Sequence, residues 1–139
     1  MLEERFKKLS HDLKLPPLAL KGQKDFFHLS LENDLHFSIK ALPKEGFFLF
    51  AKVAPLPTRK REDAFMYFMK ANLLGQGAGN QTLGVDEEES FLTLSRKVAH
   101  EVSDAEFMEI IEEFANYLDY WKEETKKMQK ASEESILLG

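Results

Sequence analysis

Residues 71–98, ANLLGQGAGNQTLGVDEEESFLTLSRKV, carry the residue types most suggestive of chemistry. Gly75, Gly77 and Gly79 alternate, and Gly84 precedes the acidic run Asp86, Glu87, Glu88, Glu89. Glycine loops cradle phosphates and acidic runs hold cations. A phosphate-binding loop, however, runs from a strand through G-x-x-x-x-G-K-[ST] into a helix whose N-terminus meets the phosphate. Here an apolar helical pattern precedes the glycines, a strand pattern follows, and no Lys-Ser or Lys-Thr closes the loop. The spacing also misses the dinucleotide fingerprint. The plain reading is a helix C-cap at Gly75 and a turn. The acids lack the alternating ligands and mid-loop glycine of a calcium loop, and read as the exposed tip of a hairpin.

The remaining candidates are weaker. His28 and His36 fall on adjacent strands, diagonal to one another, without the carboxylate or thiolate that a zinc site needs. His11 and His100 read as surface residues. With no cysteine in the chain, disulfides, thiolate ligands and thiol nucleophiles are excluded. No G-x-S-x-G elbow occurs, and no nucleophile sits beside a base. The expectation is a non-enzymatic protein with no metal and no cofactor.

Net charge −5 over 139 residues argues against nucleic acid, where cationic side chains supply the non-specific affinity. No run approaches the ~18 apolar residues of a membrane span, and MLEERFKKLSHDLKL lacks the apolar run of a signal peptide. A single domain over 1–127 is expected, with 128–139 as a polar, mobile tail.

The elements follow from periodicity. Leu2, Phe6, Leu9 and Leu13 mark one face of a helix over 2–14, ended by the prolines at 16 and 17. Residues 26–31 and 35–42 alternate with period two about an Asn-Asp turn. That puts Phe27, Leu29 and Leu31 on one face with Leu35, Phe37 and Ile39. A third strand over 47–54 continues this inner face with Phe47, Leu49, Ala51 and Val53. Phe26, Phe48 and Phe50 then fall on the nominally wet face, and a contiguous apolar patch there calls for a cover or a partner. Residues 61–74 form a second helix, apolar over most of its circumference through Phe65, Met66, Tyr67, Phe68, Met69, Leu73 and Leu74. One sheet covers one side of such a helix, so the other side suggests a second subunit. Strands over 81–86 and 89–98 follow. The last helix starts at Ser103, which with Glu106 makes a capping box, and its apolar face runs from Phe107 to Trp121. The fold class is α+β: helix, three strands, helix, two strands, helix, with a twisted antiparallel sheet packed by three helices.

This order, the small acidic chain, and the passage from a helix ending in NLL through a glycine turn into LGVDEE and FLTLSRKV resemble the class I type III secretion chaperones of the Tir chaperone (CesT-like) family. The resemblance covers about residues 1–125. It implies a homodimer in the bacterial cytoplasm that binds the N-terminal region of secreted effectors, holds it extended and presents it to the secretion apparatus and its ATPase. It implies no membrane insertion. Carried over by position, it implies a dimer interface at Phe65, Phe68, Met69 and Leu73 with Leu83 and Val85. It implies a client groove lined by Leu2, Phe6, Leu9, Phe26, His28, Phe48 and Phe50, with an edge strand able to accept a client strand. The competing reading is a protein-interaction adaptor of the same fold without a secretion client.

Overall fold

The computed structural model describes residues 20–23, 26–31, 34–42, 46–73 and 77–138. The expected first helix, with Leu2, Phe6 and Leu9, lies outside them, as do Leu74 and the C-cap at Gly75. The described elements are β1 (Leu20–Gln23), β2 (Phe26–Leu31), β3 (Leu35–Leu42), β4 (Gly46–Pro55), α1 (Arg61–Asn72), β5 (Thr82–Val85), β6 (Phe91–Val98) and α2 (Asp104–Leu138). The strands hydrogen-bond in the order β1-β2-β3-β4-β6-β5. β1 is additional to the strands expected from sequence. Its four residues, LKGQ, are too few to show an alternation in sequence, and they pair with β2, Leu20 opposite Leu29 and Gln23 opposite Phe26.

The chain forms two compact units, and β4, β6 and α2 each contribute to both. The first holds the described residues up to Ala51 with Ser95–Ala115. Its register is the one that alternation dictates: Phe27 opposite Ile39, Leu29 opposite Phe37 and Leu31 opposite Leu35. Asp34 ends the turn with φ 60, a left-handed conformation that short polar side chains tolerate. Phe27, Leu29, Phe37, Ile39, Phe47 and Leu49 are buried together with Phe107, Ile110, Ile111 and Phe114 of α2. The Phe37 and Phe114 rings lie 5.1 Å apart, those of Phe47 and Phe107 5.2 Å. Burying each such side chain stabilises by about 1.5–3 kcal/mol. The backbone of β4 meets β6 closely at Gly46, where a Cβ would fall on the Val98 carbonyl. α2 begins as its capping signal requires, the Glu106 N–H donating to Ser103 Oγ at 3.1 Å.

The second unit holds Lys52–Leu94 and the rest of α2. Ala64, Phe68 and Ala71, one face of α1 at helical spacing, are buried with Leu83, Leu92, Leu94, Leu118 and Trp121. The Phe68 and Trp121 rings pack edge to face at 5.9 Å. The glycine turn closes on the same helix: the Trp121 indole N–H donates to the Gly77 carbonyl at 3.0 Å. The polar stretch from 128, expected as a tail, continues α2 as helix to Leu138. Residues 104–138 contain neither glycine nor proline and are rich in Glu and Lys, with Ala, Leu and Met among them, all strong helix formers, so nothing stops the helix where its long apolar face ends.

Candidate functional site: two exposed apolar surfaces

The first surface is the outer face of β2, β3 and β4 in the first unit. Pairing sets it out in rows. Phe26 lies opposite Lys40, and Lys40 opposite Phe48; His28 lies opposite Ser38, and Ser38 opposite Phe50. Period-two alternation puts these residues on one face while their neighbours fill the core. Phe26 is 41% exposed, and Phe48 and Phe50 are half-buried. The Phe48 and Phe50 rings stack at 6.5 Å, and Phe26 meets the His28 imidazole edge to face at 5.0 Å. The polar groups are tied down locally. His28 Nδ1 shares a hydrogen bond with Ser38 Oγ at 3.1 Å. His36 reaches Ser30 Oγ at 3.0 Å and Asp34 Oδ1 at 2.7 Å. The histidines are therefore diagonal and separately partnered, as the sequence pattern requires. Among the described residues no three His, Asp or Glu side chains converge on one point. What this face offers is aromatic area, a lysine between Phe26 and Phe48 in one row, and, at one end of the sheet among the described residues, the strand β1. An extended polypeptide with alternating apolar side chains matches it.

The second surface lies on α1, in the second unit. Met66, Met69 and Leu73 recur at spacings of three and four on the face turned away from Ala64, Phe68 and Ala71, and are 58%, 70% and 60% exposed. Tyr67 and Val85 are exposed as well. Soft, unbranched methionines suit a packed contact. The expected interfacial set divides here. Met69, Leu73 and Val85 are open. Phe68 and Leu83 are buried within their own chain and offer no surface to a second copy. Phe65 lies between, its ring under the Arg61 guanidinium at 5.6 Å. Met66 belongs with the open set although the sequence reading did not assign it; its i−3 spacing from Met69 is the signal that finds it. The Tyr67 hydroxyl donates to Glu124 Oε1 at 3.0 Å. Partial desolvation first, then this bond, push its pKa up to about 12, so it is a donor and not a base.

The hairpin tip is explained by Asp86, whose Oδ1 accepts from the Ser90 and Phe91 N–H groups at 2.7 and 3.0 Å. These amides, Phe91 first, hold the Asp86 carboxyl below its usual range, with Lys52 adding to the effect and partial desolvation opposing it. Glu87, Glu88 and Glu89 are exposed at the turn. The acidic run is thus one structural carboxylate and three solvated ones.

The sequence profile of the Tir chaperone protein (CesT) family matches residues 6–122. The chain belongs to the Tir chaperone protein (CesT) family of type III secretion chaperones. Membership makes it one of a chaperone family and not of an enzyme family. Residues 123–138 of α2 extend past the matched region. The fold is similar to a chain in the HopA1-SchA chaperone-effector complex, with 15% identity, 86% of this chain and 94% of that one covered, and a TM-score of 0.61. It is similar also to a chain of the ExsC-ExsE complex, with 14% identity, 88% and 91% covered, and a TM-score of 0.66. No curated protein sequence matches the chain. Among the described residues no helix is long and apolar enough to cross a membrane.

Proposed function

We propose that this member of the CesT family binds the N-terminal chaperone-binding region of one or more secreted effectors in the bacterial cytoplasm. It keeps that region extended and delivers it to the secretion apparatus, where the secretion ATPase releases it. It acts as a homodimer, without catalysis and without a cofactor. The observation that carries this reading is the aromatic outer face, Phe26, Phe48 and Phe50, beside an edge strand in a chaperone-family fold. The similarity to a chain of a chaperone-effector complex supports it. A client strand adding to β1 would gain backbone hydrogen bonds of little sequence preference, and the phenylalanine rows would select its side chains. A disordered client loses entropy on binding, so it needs a large wrapped surface. The exposed face of α1 supports the dimer: Met66 and Met69, with Leu73 at the helix C-cap, are exposed large apolar side chains close together in sequence, of the kind that marks protein contacts.

The test is co-purification of the tagged protein from its native host, with recovered secreted proteins truncated to their N-terminal segments and titrated back calorimetrically. One client segment per two chains, and loss of that client's secretion when the chaperone is deleted, are expected. Recovery of no secreted protein, with secretion intact in the deletion strain, overturns the reading in favour of an adaptor.

A further inference from the structure

Asn72, the last residue of α1, makes two hydrogen bonds that neither surface accounts for. Its Nδ2–H donates to the Leu83 carbonyl at 2.8 Å, and its Oδ1 accepts from the Leu83 N–H, also at 2.8 Å. A side-chain amide is thus standing where the backbone of a neighbouring strand would stand. The hairpin register shows which side of β5 this is. The Asp86 N–H donates to the Phe91 carbonyl at 3.2 Å, so the Asp86 amide faces β6, while the Phe91 N–H returns to the Asp86 side chain. Residues whose backbone groups face the neighbouring strand alternate along an antiparallel ladder with those that face away. Gly84, one step of two along, therefore faces β6, consistent with a Cβ there lying 3.2 Å from Thr93 Oγ1. Leu83 and Val85 present their N–H and C=O groups on the other side. Among the described residues β5 is the terminal strand of the sheet, and that side is its outer edge.

An unpaired edge is a template for a further strand, and proteins close such edges by specific devices. We propose that Asn72 is that device: it closes the β5 edge to strand addition by occupying both outward backbone groups of Leu83. Neither an extended client nor a second copy continues the sheet there. A second copy meets the exposed face of α1 through side chains, and a client strand is left the other end of the sheet, at β1. This last consequence rests on the chaperone reading; the closure of β5 does not.

The test uses the full chain. In the wild-type protein the Leu83 amide is expected to exchange with deuterium as slowly as amides of the β6 ladder, although no strand among the described residues lies outside it. In Asn72→Leu, with helix content unchanged by circular dichroism, that amide exchanges tenfold faster or more. The variant also forms species larger than the wild-type state, growing with concentration in light scattering. Adding Val85→Pro, which removes the next outward donor at the edge, suppresses those species relative to Asn72→Leu alone. A residue that merely ties helix to strand would raise exchange without producing strand-dependent association. Free exchange at Leu83 in the wild type overturns the proposal, as does a folded Asn72→Leu that keeps the wild-type assembly state. Should Asn72→Leu not fold, the wild-type exchange rate decides alone. No readout involves a client, so failure of effector binding and failure of edge closure are separate results.

Discussion

Phe68 and Met69 are consecutive on α1, yet the first is 5% exposed and the second 70%. The 100° step between neighbouring helix positions takes the chain from its own core to open surface. Phe68 packs against Trp121; Met69 lies with Met66 and Leu73 on the exposed face. The two substitutions should therefore separate folding from assembly. Phe68→Ala is expected to lower stability by about 3–5 kcal/mol, as for large-to-small changes in a core. Met69→Glu is expected to leave the urea midpoint nearly unchanged while converting a dimer of twice 16.1 kDa into monomers in light scattering. A Met69→Glu protein that stays dimeric removes α1 as the interface.

On the outer sheet face, Phe48 and Phe50 stack on each other and sit at the ends of rows that begin at Phe26 and His28. Replacing either with Asp puts a charge where an apolar client side chain is expected to seat. A central aromatic anchor is worth at least about 1–2 kcal/mol, so client affinity measured by calorimetry should fall about tenfold or more. Because both positions are half-buried and not core, the thermal midpoint should move little. Unchanged affinity in both variants would move the client site off this face.

Gly79 carries φ 61 and lies under Tyr117, so that a Cβ would come within 2.8 Å of the Tyr117 Cζ and Oη atoms. Gly79→Ala combines an unfavourable left-handed residue with a clash, and should cost about 1–3 kcal/mol in urea unfolding. Tyr117→Ala in the same chain should recover the steric part and not the backbone part, so the two changes will not add. Strict additivity would show that only the backbone conformation demands glycine at 79.

The paired strands were readable from sequence because one face is buried: a one-residue slip would have turned Leu29 and Phe37 to solvent, and the observed register opposes them. Ser103 was readable as a cap because its hydroxyl has one good local use. The division of α1 was not. With Phe65, Met66, Tyr67, Phe68 and Met69 in succession, periodicity cannot say which side faces inward; Ala64 and Ala71, small residues flanking Phe68 on one face, settle it only once the sheet is in place. β1 was invisible because four residues, LKGQ, are too short a run to show a period of two. The contact between Asn72 and Leu83 was invisible for a different reason: it depends on where a helix end meets an edge strand, which no spacing encodes. Leu2, Phe6 and Leu9, the remaining expected client contacts, lie outside the described residues.

Asp86 offers a test by pH. Its carboxyl is held below the ordinary value of 3.8, chiefly by the Phe91 and Ser90 amides that donate to it. A carboxyl with a lowered folded pKa stabilises the fold above its unfolded pKa, and that contribution is lost as pH falls through the folded value. The chain carries 24 Asp and Glu residues, so the informative quantity is the difference between wild type and Asp86→Asn. That difference in urea midpoint should be constant above about pH 5 and shrink as the pH falls below the unfolded carboxyl pKa and through the lowered folded one. Over the same range the Ser90 and Phe91 amide resonances of the wild type should move together, with one apparent pKa below 3.8, and stay flat in the variant. A stability difference that does not vary with pH would mean that the hairpin needs an acceptor at 86 but not its charge.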